Sequence, residues 1–436
     1  MRHPVSEIIS AHKRGKKCGI YSCCSSNSIV IRAALERGKK YSAPVLIEST
    51  ANQVDQYGGY SGMKPADFYS FVLGLVKETG IDPNLVILGG DHLGPLTFSG
   101  ENETAAMEKS RVLIREYVLA GFTKIHLDTS MRLASDDANA PLTDETIARR
   151  GADLCSVAES AFAERQKNHP DSFAPVYIIG SEVPVPGGAQ EKEDSLSVTS
   201  SEACEKTIAT FREAFSTRGL DSAWERVIGV VVQPGVEFGD SQVMGYVREN
   251  AAELVKILET AESIVFEGHS TDYQTKFALR EMVEDGIAIL KVGPALTFAL
   301  REGIIALEHM EHELFQSRSI RLSNFRETLE SAMLDAPENW QKHYHGSAEQ
   351  QRFCRLFSFS DRARYYLANP RVNASIECLI KNLSETEIPL TLISQYLPAQ
   401  YYAVIEGRIP RTPEALLRDR VGNCIDDYLF ATGIIE

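Results

Sequence analysis

Tryptophan and cysteine are scarce in this chain: 436 residues contain two and eight of them, respectively. The cysteines (Cys18, Cys23, Cys24, Cys155, Cys204, Cys354, Cys378 and Cys424) show no CxxC spacing, which argues against a zinc knuckle and a disulfide scaffold. Reduced thiols point to the cytoplasm. No apolar run approaches the roughly 18–20 residues that span a bilayer. The polar start, Met1 to Gly15, has no signal-peptide core, so neither membrane insertion nor secretion is expected. Positive charge is also in deficit, with 45 Lys and Arg against 60 Asp and Glu and a net charge of −15. That sign repels polyanions and disfavours a broad nucleic-acid surface. It still permits one small phosphorylated substrate in a locally positive pocket. No GxGxxG fingerprint follows any strand, which disfavours an open dinucleotide-binding sheet.

What is present is alternation. Short β-branched runs end in polar or glycine residues, and longer stretches with helical apolar spacing follow them. The predicted strands are Lys17–Ser26, Pro44–Thr50, Leu85–Gly94, Lys124–Ser130, Val176–Val183, Arg226–Gly235, Ser263–His269 and Ile287–Gly293. The predicted helices are Pro65–Thr79, Thr104–Ala120, Thr143–Gln166, Ser201–Thr217, Ser241–Glu262, Thr271–Glu284 and Pro294–Phe315. Continuous apolar strands such as Val230-Val231-Val232 suit parallel pairing buried on both faces. The expectation is a (β/α)8 TIM barrel over residues 1–315. From about Gln316 the alternation stops, and residues 316–436 read as a helical extension packed on the barrel, with aromatic clusters that also suit a homo-oligomer interface.

Active sites of such barrels lie at the carboxyl ends of the strands. Six of the eight predicted strands end there in a charged or imidazole residue. His92 and His269 are the expected nitrogen ligands of a divalent metal ion, zinc or a similar one, and Glu182 is the expected oxygen ligand. Such an ion would act as a Lewis acid and stabilise an enediolate. Asp91, next to a ligand, is the expected proton-transfer group, with Glu182 and Asp272 as further catalytic carboxylates. Asp128, Gln233, Ser270, Thr271, Lys291 and Gly293 are expected around the substrate, the last four near the usual phosphate position of this fold. Val183–Gln190 and Asn52–Met63 read as mobile loops over the mouth. In the extension, Arg362, Arg364, Tyr365 and Tyr366 read as packing residues, with a phosphate contact over the mouth as the alternative.

Several longer segments carry a resemblance. They are Asn52-Gln-Val-Asp-Gln-Tyr-Gly-Gly-Tyr, Gly89-Gly-Asp-His-Leu-Gly-Pro, Lys124-Ile-His-Leu-Asp, Glu182-Val-Pro-Val-Pro-Gly-Gly, Val231-Val-Gln-Pro-Gly-Val-Glu-Phe, His269-Ser-Thr-Asp-Tyr-Gln, and Leu290-Lys-Val-Gly-Pro-Ala-Leu-Thr-Phe-Ala-Leu-Arg-Glu. With His343-Tyr-His-Gly and Ile393-Ser-Gln-Tyr-Leu-Pro, they make nearly the whole chain resemble the Z-type (GatZ/KbaZ-like) subunits of tagatose-1,6-bisphosphate aldolase. A fainter likeness links Asp91-His92, Glu182, His269-Ser270 and Lys291-Val292-Gly293 to the class II, metal-dependent aldolases; Gln233 stands where those have a further metal-binding His.

The resemblance implies one of two roles. One is a metal-dependent ketose-phosphate 4-epimerase, converting D-tagatose 6-phosphate to D-fructose 6-phosphate by retro-aldol and aldol chemistry in galactitol or tagatose catabolism. The other is a non-catalytic accessory subunit that supports a Y-type aldolase partner. The dense polar set at the strand ends favours the epimerase, because buried charge costs desolvation energy without return unless it is used.

Overall fold

The computed structural model describes residues 2–183 and 197–436. Eight parallel strands close into a barrel in sequence order. They are β1 (Ile20–Cys24), β2 (Val45–Thr50), β3 (Val86–Leu93), β4 (Lys124–Leu127), β5 (Val176–Ile179), β6 (Val227–Val232), β7 (Val265–Gly268) and β8 (Ile289–Val292). The fold is therefore the expected (β/α)8 barrel, and every strand lies within its predicted segment.

The barrel interior is layered. Its amino-terminal end is filled by Ile20, Leu46, Ile87, Val176, Ile178, Ile228 and Ile289. Val5 and Ile9 of the helix Pro4–Lys13 plug that end, and burial of each side chain is worth about 1.5–3 kcal/mol. The sequence reading assigned no element there, because two apolar anchors in a polar segment are a weak periodic signal. The helix Ser28–Tyr41 between β1 and β2 is likewise absent from the predicted set. Ser241–Glu262, expected as one helix, is instead a short hairpin (Glu237–Phe238 with Val243–Met244), then the helix Arg248–Val255 and a 3-10 turn.

Toward the carboxyl ends of the strands the interior changes from apolar to ionic. In register, Glu48 of β2 sits beside Gly89 of β3, and Gly89 sits beside Lys124 of β4. A Cβ on Gly89 would lie 2.6 Å from Glu48 Oε1, so only glycine leaves room for the carboxylate there.

The chain beyond residue 315 is helical. Its last helix, Pro413–Ala431, packs back against Ser28–Tyr41, Lys276–Glu284 and Pro294–Phe315, and barrel and extension share one apolar core. A buried ion pair also ties them: Arg301 Nε lies 2.8 Å from Asp361 Oδ1. No helix among the described residues is long and apolar enough to cross a membrane, and all eight cysteines are free thiols.

Candidate active site

Side chains alternate along a strand, so residues two apart share a face. On β4 and the residue after it, Lys124, His126 and Asp128 all point inward; on β7 and just beyond it, Glu267 and His269 do the same. Lys124 Nζ lies 2.6 Å from Glu48 Oε1 and 2.7 Å from Glu267 Oε2, all three side chains being fully buried. Lys291 of β8 pairs with Glu48 and, at 2.9 Å, with Asp91 Oδ2. The other oxygen of Asp91 is 2.9 Å from His126 Nδ1 and accepts the His92 backbone N–H at 3.0 Å. His92 Nδ1 lies 2.7 Å from Asp128 Oδ2, and His269 Nε2 lies 3.0 Å from Glu267 Oε1. The rings of His92, His126 and His269 are mutually 5.0–5.3 Å apart.

This network sets the charges. Burial alone would raise the Asp91 carboxyl; His92, the His126 hydrogen bond and His269 outweigh it and hold the group well below the usual carboxylate range. Burial alone would lower His92, but Asp91 and Asp128 outweigh it and push the imidazole up to about 9. Glu267 is held at about 2 against its burial, chiefly by Lys124. Burial lowers His269, favouring its neutral, ligand-competent form. Burial also pushes Asp272 up to about 6, although its Oδ1 accepts the Gly293 and Ala295 backbone N–H groups at 3.0 and 2.8 Å.

The His92 shift has a measurable consequence. Its folded value lies above the ordinary 6.5, so its charge adds stability in full below pH 6.5 and loses it as pH rises through 9. The contribution is on the order of 3 kcal/mol. Urea unfolding of metal-free protein at pH 6 and pH 9.5 should show this loss, and His92→Gln should flatten it; equal slopes in the two proteins would refute the assignment.

A pocket opens onto the network. Asp91, His92, His269 and Lys291 lie at its floor, with Cys24, Ser270, Asp272 and Gly293 around them; Asn52, Gln53, Tyr60, Arg364 and Tyr365 contribute to its lining. Left-handed backbone at non-glycine residues is costly and gathers at functional sites. His92 (φ 49°) and Ser270 (φ 53°), both in the pocket lining, adopt it. A strand that turns sharply at its last residues can aim two consecutive side chains into the same space.

The donor set for a metal differs from the sequence expectation. Asp91, His126, Glu267 and His269 offer ligand atoms that all lie within 4.8 Å of one another, and His126 Nε2 is buried without a hydrogen-bond partner. Two imidazoles with two carboxylates fit a divalent transition metal. His269 was expected in this role. His126 and Glu267 were not, although their i, i+2 spacing to Asp128 and His269 was a usable signal. His92, expected as the other imidazole ligand, adjoins the cluster: its Nδ1 lies 2.7 Å from Asp128 Oδ2, a pairing with a carboxylate that orients the ring and leaves Nε2 as its remaining ligand atom. Glu182 stands apart: it is exposed and accepts from Thr199 Oγ1 at 2.7 Å.

The expected substrate contacts also divide. Ser270, Lys291 and Gly293 line the pocket, as does Asp272, expected as a catalytic carboxylate, whereas Asp128 supports His92. Gln233 accepts from the Gly235 and Val236 N–H groups within its own turn, and Thr271 donates to the Lys291 carbonyl. The Asn52–Met63 loop does reach the pocket, but it is tied down by bonds such as Tyr60 N–H to Asn52 O at 3.0 Å and by a bridge between Val54 and Met63. Residues 184–190 of the other expected loop lie outside the described residues.

Comparison with known proteins adds three findings. The family model for the D-tagatose-1,6-bisphosphate aldolase subunit GatZ/KbaZ-like matches residues 5–433. A solved protein of Sinorhizobium meliloti 1021, described as a probable tagatose 6 phosphate kinase, is 44% identical over 95% of this chain and 100% of its own, with a TM-score of 0.86. The YdjI aldolase of Escherichia coli K12 is far more distant, at 13% identity and a TM-score of 0.40 over 84% of this chain and 96% of its own.

Proposed function

The chain belongs to the GatZ/KbaZ-like family of D-tagatose-1,6-bisphosphate aldolase subunits, and on that premise we propose that it epimerises a ketose phosphate at C4, interconverting D-tagatose 6-phosphate and D-fructose 6-phosphate. The observation that carries this reading is Asp91: ionised, buried, lining the pocket, and held between three imidazoles and a lysine. The names of the family and of the similar Sinorhizobium protein both speak of tagatose phosphates.

A divalent ion held by His126, His269, Glu267 and Asp91 would supply Lewis acidity toward the substrate's carbonyl and hydroxyl oxygens. The rest falls to the chain itself. Asp91 accepts the C4 hydroxyl proton, the C3–C4 bond breaks, and its electron pair passes through C3 to the C2 oxygen. Asp91 Oδ1 is taken up by His126 and the His92 N–H, so Oδ2, 2.9 Å from Lys291 Nζ, is the oxygen that would receive the C4 proton. Lys291, at the pocket floor, is a cation near the charge that develops. The bound aldehyde turns its other face, C3 adds again, and Asp91 returns the proton to the new C4 oxygen. No atom is gained or lost, so the site needs no second substrate.

A stability argument supports the same conclusion. Replacing a buried ion network with apolar side chains is often neutral or stabilising. Glu48, Lys124, Glu267, Lys291 and Asp91 together inside a barrel are therefore not explained by folding stability alone. The second reading, an accessory subunit for a Y-type aldolase, is favoured by membership in a family of aldolase subunits.

Incubation of the purified chain alone with tagatose 6-phosphate separates the two. Formation of fructose 6-phosphate that stops with a chelator and returns with a divalent metal is the expected result. No turnover with any of several added divalent metals overturns the epimerase for this substrate and leaves the accessory role.

A further inference from the structure

In this fold, phosphate commonly binds in the loops after the seventh and eighth strands, at a helix amino terminus. Here that position is already taken: the Asp272 carboxylate accepts both the Gly293 and the Ala295 N–H groups, at the start of the helix Pro294–Phe315. An incoming phosphate would meet a carboxylate where it needs donors.

The cations that line the pocket are differently placed. Lys291 is committed to Glu48 and Asp91, and the His92 imidazolium to Asp128. Arg364, from the extension, makes no ion pair with a carboxylate among the described residues. Its Nη1 donates to the carbonyls of Ser360 and Asp361, and its Nη2 donates to Tyr365 Oη at 3.1 Å. A guanidinium has five N–H donors, so some remain for a ligand.

Its position is well determined by its supports. Asp361, in the left-handed region at φ 44°, is gripped by Arg301 Nε at 2.8 Å and Thr297 Oγ1 at 2.6 Å, both from the helix that follows β8. The guanidinium stacks over the Tyr365 ring at 4.5 Å, and that ring meets Tyr60 of the β2 loop edge-on at 4.6 Å. The extension and the loop after β2 thus clamp one arginine over a pocket whose floor is a carboxylate–imidazole cluster.

We propose that Arg364 is the anchor for the phosphate end of the substrate, so that the carboxyl-terminal extension supplies the anion site that the barrel itself has filled with Asp272. The proposal rests on the epimerase reading for one further consequence. After the C3–C4 bond breaks, the phosphate belongs to the three-carbon aldehyde. An arginine that grips it keeps that fragment in place while its carbonyl turns over.

Two measurements test this. Inorganic phosphate titrated into wild-type protein and into Arg364→Gln, followed by calorimetry, reads the anchor without any turnover. Loss of a charged bidentate partner should weaken binding about tenfold or more, with Arg364→Lys intermediate. Equal affinity in wild type and Arg364→Gln, or no phosphate binding by wild type, overturns the proposal; an unchanged thermal midpoint and circular dichroism spectrum confirm that the variant is folded. Second, a triose-phosphate dehydrogenase couple should detect aldehyde released during turnover by Arg364→Gln but not by wild type. Phosphate binding lost in the variant while wild type shows no turnover would keep the anchor and discard the epimerase. Equal phosphate binding with wild-type turnover would do the reverse.

Discussion

Asp91→Asn should lower the turnover of tagatose 6-phosphate by about 100- to 10,000-fold, the range lost with a general base. The substitution is isosteric, so the effect belongs to the charge, which serves the proposed proton transfer and the donor set alike. It should fall on kcat more than on KM, because an amide still fills the space but cannot accept the C4 proton. A second readout does not depend on turnover. Against its burial, the Asp91 charge is one of the main influences, with the Asp128 hydrogen bond and charge, that hold His92 at about 9. In Asp91→Asn the His92 titration followed by NMR should therefore move down. Turnover within tenfold of wild type would remove Asp91 from the proton-transfer role. An unmoved His92 would contradict the charge network itself.

Lys124→Met should strongly destabilise the fold. Lys124 bridges two fully buried carboxylates, Glu48 and Glu267. Glu48 keeps Lys291, but Glu267 is left with only its hydrogen bond to His269. Breaking a buried pair by removing one partner costs about 3–5 kcal/mol. The sign of the pH dependence makes the test sharper. In wild type, Glu267 is depressed to about 2, so its contribution is present above its ordinary 4.5 and lost as pH falls through 2. Without Lys124 its burial dominates, the carboxyl is raised, and protonation relieves the cost. The gap between wild type and Lys124→Met in urea unfolding should thus narrow from pH 7 to pH 4.5. Adding Glu267→Gln should recover part of the loss at pH 7. A gap below about 1 kcal/mol at pH 7, or one that widens on acidification, would show that the lysine is not the partner of these carboxylates.

The two expectations concern the same polar layer and pull in different directions. Asp91 is proposed to act on a ligand. Lys124 lies one step deeper and matters because it allows several ionised carboxylates to sit inside a barrel. Gly89 belongs to this design as well, since any side chain there would occupy the space of the Glu48 carboxylate.

The sequence by itself determined the barrel and the end at which the polar residues gather. Strand and helix periodicities are local, and eight alternations with buried apolar strands leave few other folds. Asp91, His269, Ser270, Asp272, Lys291 and Gly293 were legible for the same reason: each lies at a strand end, and strand ends converge in this fold. Only the tertiary structure decided the partners. His126 and Glu267 join Asp91 and His269 because strand stagger brings the inward faces of β3, β4 and β7 to one level, and stagger is not written in a single strand. Glu182 shows the opposite case, a strand-end carboxylate whose last residues turn outward to Thr199. Arg364 lies 73 positions beyond Lys291 in the chain, in a 3-10 turn whose local pattern reads as packing and leaves a phosphate contact only as the alternative. Its place over the pocket depends on Arg301 and Thr297 gripping Asp361, a long-range contact that exists only once the extension has folded onto the barrel.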